Sequence, residues 1–150
     1  MDKISIIIPC FNEEEALPIY YTEMKKVMDT MKKQTDFELI FVDDGSSDRT
    51  YKVMKELHRK DGRCQYLSFS RNFGKEAGLY AGLQHAKGDY IVIIDTDLQQ
   101  PIEVAKEMMD FLEEHPEYDE VAAYQEERKE GKLMTAFKSA FYSLINRLCD

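Results

Sequence analysis

The sequence has no long apolar segment and little cysteine. Its longest apolar segments, residues 4–9 and 90–94, are far shorter than the roughly 18 residues of a membrane-spanning helix. The first residues lack the basic, apolar and cleavage regions of a secretory signal, so we expect a cytoplasmic chain. Its three cysteines are an odd number without metal-ligand spacing. That pattern favours isolated thiols over disulfides or a zinc site.

Positive charge is also scarce. Acidic residues outnumber basic ones by 29 to 20, which gives a formal net charge of -9. Because sequence-independent binding to nucleic acid depends on clustered lysine and arginine, this balance excludes a general nucleic-acid binder. The balance reverses from residue 128 onward, where five basic residues stand against two acidic ones. We expect this last stretch to face something anionic.

Short apolar strands alternate with amphipathic helices along the chain. The runs at 3–9, 38–43, 65–69 and 90–95 are typical of strands buried in a parallel sheet. Helical spacing of apolar residues predicts helices after Asn12 and at 49–59, 75–86 and 101–114. This alternation predicts an α/β fold with an open, Rossmann-like, mainly parallel sheet covered by helices on both faces. With 150 residues and 43% hydrophobic content, we expect one domain covering residues 1–150.

Further features are expected in the third helix and the later chain. Gly78 and Gly82 give the third helix a small-residue face for close packing, and Gly88 is placed as its C-terminal stop. Residues 120–124 are predicted as one more strand. Residues 132–149 are predicted as an amphipathic helix, which packs on the core, binds a membrane, or does both by packing inward and lending its basic side to anionic lipid.

Polar residues follow three of the predicted strands, at 9–13, 42–48 and 95–99. Because the carboxyl ends of parallel strands meet at one edge, these residues should converge there. Asp95 and Asp97 would repel each other and lose hydration at that edge, unless a divalent cation or a cationic ligand offsets their charge. The sequence therefore predicts a metal-assisted reaction on a phosphorylated substrate.

Each strand end also has an ordinary structural interpretation. Asn12 with Glu15 fits a capping box, Asp44 fits a turn, and Asp48 fits a helix cap. Several carboxylates gathered at one edge without a ligand would destabilise the fold through like-charge repulsion. Taken together, the set therefore favours a functional interpretation.

Four motifs in order carry a family resemblance. They are Pro9-x-x-Asn12-Glu13, Val-Asp-Asp-Gly-Ser-Ser-Asp at 42–48, Ser-Arg-Asn-Phe-Gly-Lys-Glu at 70–76, and Asp-Thr-Asp-Leu-Gln at 95–99. They resemble the motifs of family-2 glycosyltransferases. The branch that is most similar contains the polyprenyl-phosphate sugar transferases, such as dolichol-phosphate mannose synthase and bactoprenol glucosyltransferases.

The resemblance implies a GT-A fold and an inverting transfer of a sugar from a UDP- or GDP-linked donor to a polyprenyl phosphate, with Mg²⁺ or Mn²⁺. Pro9, Asn12 and Glu13 would line the nucleoside pocket. Asp43 would hydrogen-bond the base, with Asp44 nearby.

The resemblance also assigns residues around the metal and the phosphates. Asp97 and Gln99 would ligate the metal, with Asp95 near the ribose or the metal. The cations expected around donor or acceptor phosphate are Arg71, Lys75 and Arg128. Asp95, Asp97 and Arg128 are the residues expected to serve catalysis.

An ionised acceptor phosphate shapes the expected mechanism. A phosphomonoester has a second pKa of about 6, so the nucleophile needs no strong general base. Binding, alignment and stabilisation of the leaving group would carry most of the catalysis. The membrane's cytoplasmic face and cell-envelope synthesis follow as the expected setting.

Three departures from the usual pattern of this branch stand out. Gln125 stands where relatives often carry a further arginine, and Thr96 replaces a smaller residue. Such enzymes normally continue beyond residue 150 with an acceptor region and often membrane helices. We therefore expect this chain to be truncated.

Two alternatives remain from the residues alone. A haloacid-dehalogenase-like phosphatase also places Asp-x-Asp after an apolar strand, but usually near the start of the chain and without Gln99. A non-catalytic nucleotide-binding module is the second alternative.

Overall fold

The computed structural model describes residues 2–31, 35–96 and 103–122, and it confirms the predicted alternation of strands and helices. The elements in chain order are β1 (Asp2–Cys10), α1 (Ala16–Met31), β2 (Thr35–Asp43), α2 (Thr50–Lys60), β3 (Cys64–Ser68), α3 (Lys75–His85), β4 (Tyr90–Ile93) and α4 (Glu103–Glu114). The four strands form one sheet in the order β3-β2-β1-β4, and every pairing is parallel. β1 therefore lies inside the sheet, which explains its continuous apolar run.

Helices cover both faces of this sheet, as predicted. On one face, Ile4, Ile6 and Ile8 pack with residues of α1, α2 and α4, including Met54 and Met109. On the other face, a smaller cluster of Ile7, Ile40 and Val42 packs against α3. Fully burying one side chain of this size contributes about 1.5–3 kcal/mol. Because β1 and β2 supply buried side chains to both clusters, they stabilise the helix packing on both faces of the sheet.

The glycines of α3 permit its close approach to the sheet. A Cβ on Gly82 would lie 2.5 Å from Cγ2 of Ile7, and one on Gly78 would lie 3.6 Å from Cγ1 of Val42. The predicted small-residue face is confirmed.

The prediction that Gly88 ends this helix is wrong. The helix ends at His85, and the N–H of Ala86 donates to the carbonyl oxygen of Gly82 at 3.0 Å. Gly88 lies instead against β1, where a Cβ would be 2.6 Å from the backbone nitrogen of Ser5. Its own N–H donates to Oγ of Ser5 at 2.7 Å. A close backbone contact, and not a helix stop, requires glycine here.

The capping box at Asn12 and Glu15 is also wrong. The first helix begins at Ala16, and the backbone N–H of Asn12 donates to Oγ of Ser46 and not to Glu15. Asn12 has a positive φ of 55°. Its side chain serves a different loop, as described below.

Other predicted boundaries shift or fall outside the described residues. β4 ends at Ile93, although the N–H of Ile94 still donates to the carbonyl oxygen of Ile7 at 3.1 Å. Residues 120–122 are not in a strand, and the rest of the strand predicted at 120–124 lies outside the described residues. Pro101 and the helix predicted at 132–149 also lie outside them. No helix in the described ranges is long and apolar enough to cross a bilayer.

The cysteines that the structure describes are isolated, as predicted. Cys10 and Cys64 are buried and free. Burial raises the pKa of Cys10 well above its usual value and raises the pKa of Cys64 to about 12. Both thiols therefore stay protonated and unreactive near neutral pH.

Candidate functional site at the carboxyl edge of the sheet

The loops that follow the strands meet at one edge of the sheet. β1 pairs with β2 along its whole length and with β4 on its other side, and β3 continues the sheet beyond β2. Parallel pairing brings the carboxyl ends of all four strands to the same edge. The predicted convergence of the polar strand ends is therefore confirmed for the described residues.

Asn12 ties the loop after β1 to the loop after β2. Its N–H donates to Oγ of Ser46 at 2.9 Å, and its Oδ1 accepts the N–H of Ser47 at 2.9 Å. Asparagine tolerates the left-handed backbone conformation that this reciprocal contact requires. Asn12 is thus a link between two loops at the predicted nucleoside pocket.

A second set of contacts extends this link. The N–H of Glu14 donates to Oδ2 of Asp48 at 3.2 Å, and Nε of Arg49 donates to the Glu14 carboxylate at 3.0 Å. The N–H of Glu13 donates to Oγ1 of Thr50 at 2.7 Å. The loop before α1 is therefore bonded to the start of α2.

Arg49, and not the predicted Asp48, is the N-cap of α2, and Asp48 bonds to the first turn from just outside the helix. Its Oδ1 accepts the N–H of Thr50 at 2.9 Å. Partial burial raises the pKa of Asp48, but hydrogen bonds from Thr50 and from the N–H of Glu14 outweigh it and leave this pKa below its usual value. The carboxylate is therefore kept charged at the amino end of a helix, where negative charge is favourable.

The two central aspartates are buried and fully bonded. Asp43 is 2% exposed, and its carboxylate accepts the N–H of Ser46 at 2.9 Å and Oγ–H of Ser68 at 2.8 Å. Asp44 is 7% exposed, and its two oxygens accept the N–H groups of Phe73 and Gly74 at 2.7 and 3.0 Å. Both side chains therefore hold neighbouring loops in place.

Lys75 and Asp95 form a second ion pair at this edge. Nζ of Lys75 lies 2.7 and 2.9 Å from the two carboxylate oxygens of Asp95, and both side chains are about half exposed. Lys75 is the first residue of α3, so the positive end of the helix dipole lies beside the pair. Arg71 lies in the preceding loop, with Cζ 4.7 Å from the ring centre of Phe73.

These contacts weaken the repulsion argument drawn from the sequence. Asp43 and Asp44 have hydrogen-bond donors at both oxygens, and Asp95 has a lysine partner. Within the described ranges, no group of three His, Cys, Asp or Glu side chains is arranged to hold a metal ion. Asp97, Gln99 and Arg128 lie outside those ranges. The predicted metal ligands and the role of Arg128 therefore stay predictions.

Sequence reasoning missed several residues that build the site. Ser46 and Ser47 stand in the Asp-Gly-Ser-Ser turn, whose small polar residues were the available signal. Ser68 gave no such signal, because it meets Asp43 only through the register of β2 and β3. Glu14 is likewise recognised only from its contacts with the start of α2.

Comparison with known proteins identifies the family. The profile described as Glycosyl transferase family 2 matches residues 5–149. The chain belongs to glycosyl transferase family 2. Its sequence is 41% identical over 149 residues to a protein of Escherichia coli K12 named prophage bactoprenol glucosyl transferase homolog, covering 99% of this chain and 47% of that one. It is 40% identical over 147 residues to the bactoprenol glucosyl transferase of Shigella phage SfV, covering 97% of this chain and 47% of that one.

These relatives confirm the predicted resemblance to the polyprenyl-phosphate branch of the family. This family 2 chain spans about half the length of the curated relatives it matches.

Solved structures of glycosyltransferases share the fold. The structure of residues 1–349 of Staphylococcus aureus TarS has a TM-score of 0.63 and 24% identity, covering 85% of this chain and 40% of that one. The mannosyltransferase PcManGT of Pyrobaculum calidifontis has a TM-score of 0.63 and 21% identity, covering 74% of this chain and 32% of that one. These neighbours have the GT-A fold, so the predicted fold class is confirmed.

Proposed function

We propose that this family 2 chain binds a nucleotide-sugar donor at the carboxyl edge of its sheet and transfers the sugar, with inversion, to a polyprenyl phosphate. The observation that carries the proposal is the assembly of the ordered motifs into one bonded set of loops. Asn12, Asp43, Asp44, Lys75 and Asp95 all lie at that edge or in the loops attached to it. The names of the bactoprenol glucosyl transferases support the acceptor class and make glucose the first sugar to test.

The structural neighbours support the donor class. TarS has been solved with UDP and with UDP-GlcNAc, and PcManGT with GDP-Man and Mn²⁺. In this chain, Asn12 and Asp43 would frame the base pocket, together with Pro9 and Glu13. Lys75 supplies a half-exposed positive charge for the diphosphate.

A divalent cation fits the proposed site chemically. Asp95 supplies a half-exposed carboxylate, and carboxylate and amide oxygens suit Mg²⁺ or Mn²⁺. Asp95 would hold the ion together with Asp97 and Gln99. A cation bound there would offset the charge on the departing nucleoside diphosphate.

The residues of the chain would act mainly by binding and alignment. A polyprenyl phosphate already carries negative charge, so no side chain at the edge needs to remove a proton from it. The bonded loops fix the donor while Lys75 and Arg71 offset phosphate charge. Arg128 would add a further cation, and the basic end of the chain would face the cytoplasmic surface of the membrane.

A calorimetric titration tests this function. We expect UDP-glucose, UDP-GlcNAc or GDP-mannose to bind more tightly with Mn²⁺ present. Asp97→Ala should abolish that metal dependence while leaving the circular-dichroism spectrum unchanged. If Asp97→Ala binds the donor as tightly as the unchanged protein does with Mn²⁺, then Asp97 does not hold the metal. If the unchanged protein binds no nucleotide-sugar at all, the donor proposal is contradicted.

The remaining alternatives give different results in simple assays. A phosphatase would hydrolyse a chromogenic phosphate ester and lose that activity in Asp95→Asn, but membership of a glycosyltransferase family counts against it. A non-catalytic module would bind nucleotide without moving labelled sugar to a polyprenyl phosphate in detergent.

A further inference from the structure

Both carboxylate oxygens of Asp44 accept hydrogen bonds from the loop between β3 and α3. Oδ1 accepts the N–H of Phe73 at 2.7 Å, and Oδ2 accepts the N–H of Gly74 at 3.0 Å. The residue is only 7% exposed. Hydrogen bonds to a charged acceptor are stronger than those between neutral groups, so this side chain holds two consecutive backbone N–H groups in place.

Gly45 adds an independent contact with the same loop. It has a φ of +70°, and a Cβ there would lie 2.3 Å from the carbonyl carbon of Arg71 and 2.6 Å from the backbone nitrogen of Asn72. The backbone of the two loops is therefore in direct contact. The N–H of Phe69 donates to the carbonyl oxygen of Asp43 at 2.9 Å, so the loop is anchored at its start as well.

The loop held by Asp44, residues 69–74, leads directly into α3. The carbonyl oxygen of Gly74 accepts the N–H of Gly78 at 3.2 Å, which places Gly74 at the entry to the helix. Lys75 follows at once and reaches across to Asp95, which follows β4. The geometry therefore connects Asp44, at the end of β2, to a charged group on the far side of β1.

We propose that Asp44 is a positioning residue that acts through this loop. It holds Phe73 and Gly74 so that Lys75 lies where the donor diphosphate binds, and it does not itself contact the nucleoside. This inference rests on the proposed function, and it gives a specific role to Asp44, which the family resemblance placed only near the base-binding Asp43.

A double-mutant cycle with Lys75 tests the proposal. Asp44→Asn replaces one acceptor oxygen by an amide that cannot accept the N–H of Gly74. We expect it to weaken binding of the best-binding nucleotide-sugar on the order of tenfold, since a charged hydrogen bond is lost at a buried site. In a Lys75→Met background, the same substitution should cause no further loss, because the group that Asp44 positions is already gone.

Hydrogen exchange provides a readout that simple loss of stability would not move. In Asp44→Asn, the amides of Phe73 and Gly74 should exchange faster while amides elsewhere keep their protection. Asp61→Asn is the matched control. Asp61 is similarly buried and accepts hydrogen bonds from Arg63 and Tyr21 near the opposite edge of the sheet. It should lower stability without changing donor affinity or exchange at Phe73 and Gly74.

Two results would overturn the proposal: additive losses in the double variant, or unchanged exchange at Phe73 and Gly74 in Asp44→Asn. If Asp44→Asn fails to fold, Asp44→Ser enters the same cycle. If the unchanged protein binds no nucleotide-sugar, the proposed function fails, while faster exchange at Phe73 and Gly74 would still establish the grip of Asp44 on the loop.

Discussion

The two edges of the sheet use buried polar groups in different ways. At the amino edge, the Glu38 carboxylate accepts Oγ–H of Ser5 at 2.6 Å and the N–H of Lys87 at 2.7 Å, and its other oxygen lies 2.9 Å from Nζ of Lys3. Burial raises the pKa of Glu38, but the hydrogen bonds from Ser5, Lys3 and Lys87 lower it by more. The net pKa is therefore below the usual value. This cluster is balanced in charge.

At the carboxyl edge, Asp95 and Glu14 have basic partners, but the two buried aspartates are not balanced in this way. Asp43 and Asp44 are bonded to neutral N–H and O–H groups. In the part of the chain that the structure describes, no basic side chain forms an ion pair with either of them. The buried carboxylate at the amino edge thus joins strands of the sheet through a balanced ion pair, whereas the two at the carboxyl edge hold loops through neutral donors.

Substitution of two glycines should give the largest effects and the sharpest test of this difference. Gly45→Ala and Gly88→Ala each drive a Cβ to within 2.3 or 2.6 Å of backbone atoms, and Gly45 also has a φ of +70°. We expect each to lower the free energy of unfolding by about 2–4 kcal/mol, measured by urea denaturation. Gly45→Ala should also weaken donor binding, whereas Gly88→Ala should not. Equal loss of donor affinity in both variants would remove the functional distinction between the edges.

Acid should destabilise the amino side through Asp61. Hydrogen bonds from Arg63 are the main cause that lowers the pKa of Asp61 to about 2, from an ordinary value of 3.8. Since the folded pKa is depressed, the stabilisation is complete above about pH 4 and is lost as the pH falls towards 2. This pKa shift corresponds to about 2 kcal/mol of stability. The side chain is only 10% exposed, so solvent screens the interaction little.

Urea denaturation of Asp61→Asn across this pH range measures that contribution. The variant should be less stable than the unchanged protein at pH 6 and should show a shallower loss of stability below pH 4. An identical pH slope in the two proteins would show that the Asp61–Arg63 contact contributes nothing.

The smallest effect is expected at Tyr20, on the side of the carboxyl edge. Its hydroxyl is buried with no hydrogen-bond partner among the described residues, and burial, with the nearby Cys10 and Asp95, raises its pKa. Tyr20→Phe removes an unsatisfied group, so stability should stay equal or rise by about 1 kcal/mol in thermal or urea denaturation. A loss of stability would reveal a partner for this hydroxyl.

Local pattern predicted most of the fold. The apolar runs of β1 and β2 and the helical spacing in α1 and α2 are properties of consecutive residues, so they are readable without tertiary information. The hydrogen bond from the N–H of Thr50 to Asp48 is local in the same sense, although Arg49 and not Asp48 is the N-cap of α2. The capping box at Asn12 failed because its side chain bonds to Ser47, 35 residues away.

Local sequence encodes the alternation of strands and helices, the family motifs, and the types of residue that follow each strand. The contacts that those residues make depend on the folded arrangement of the whole sheet. Register placed Ser68 beside Asp43, close backbone packing required Gly88, and the loop after β3 occupied both oxygens of Asp44. The physical reason is that hydrogen bonds between distant loops depend on positions set by strand pairing, which no local periodicity encodes.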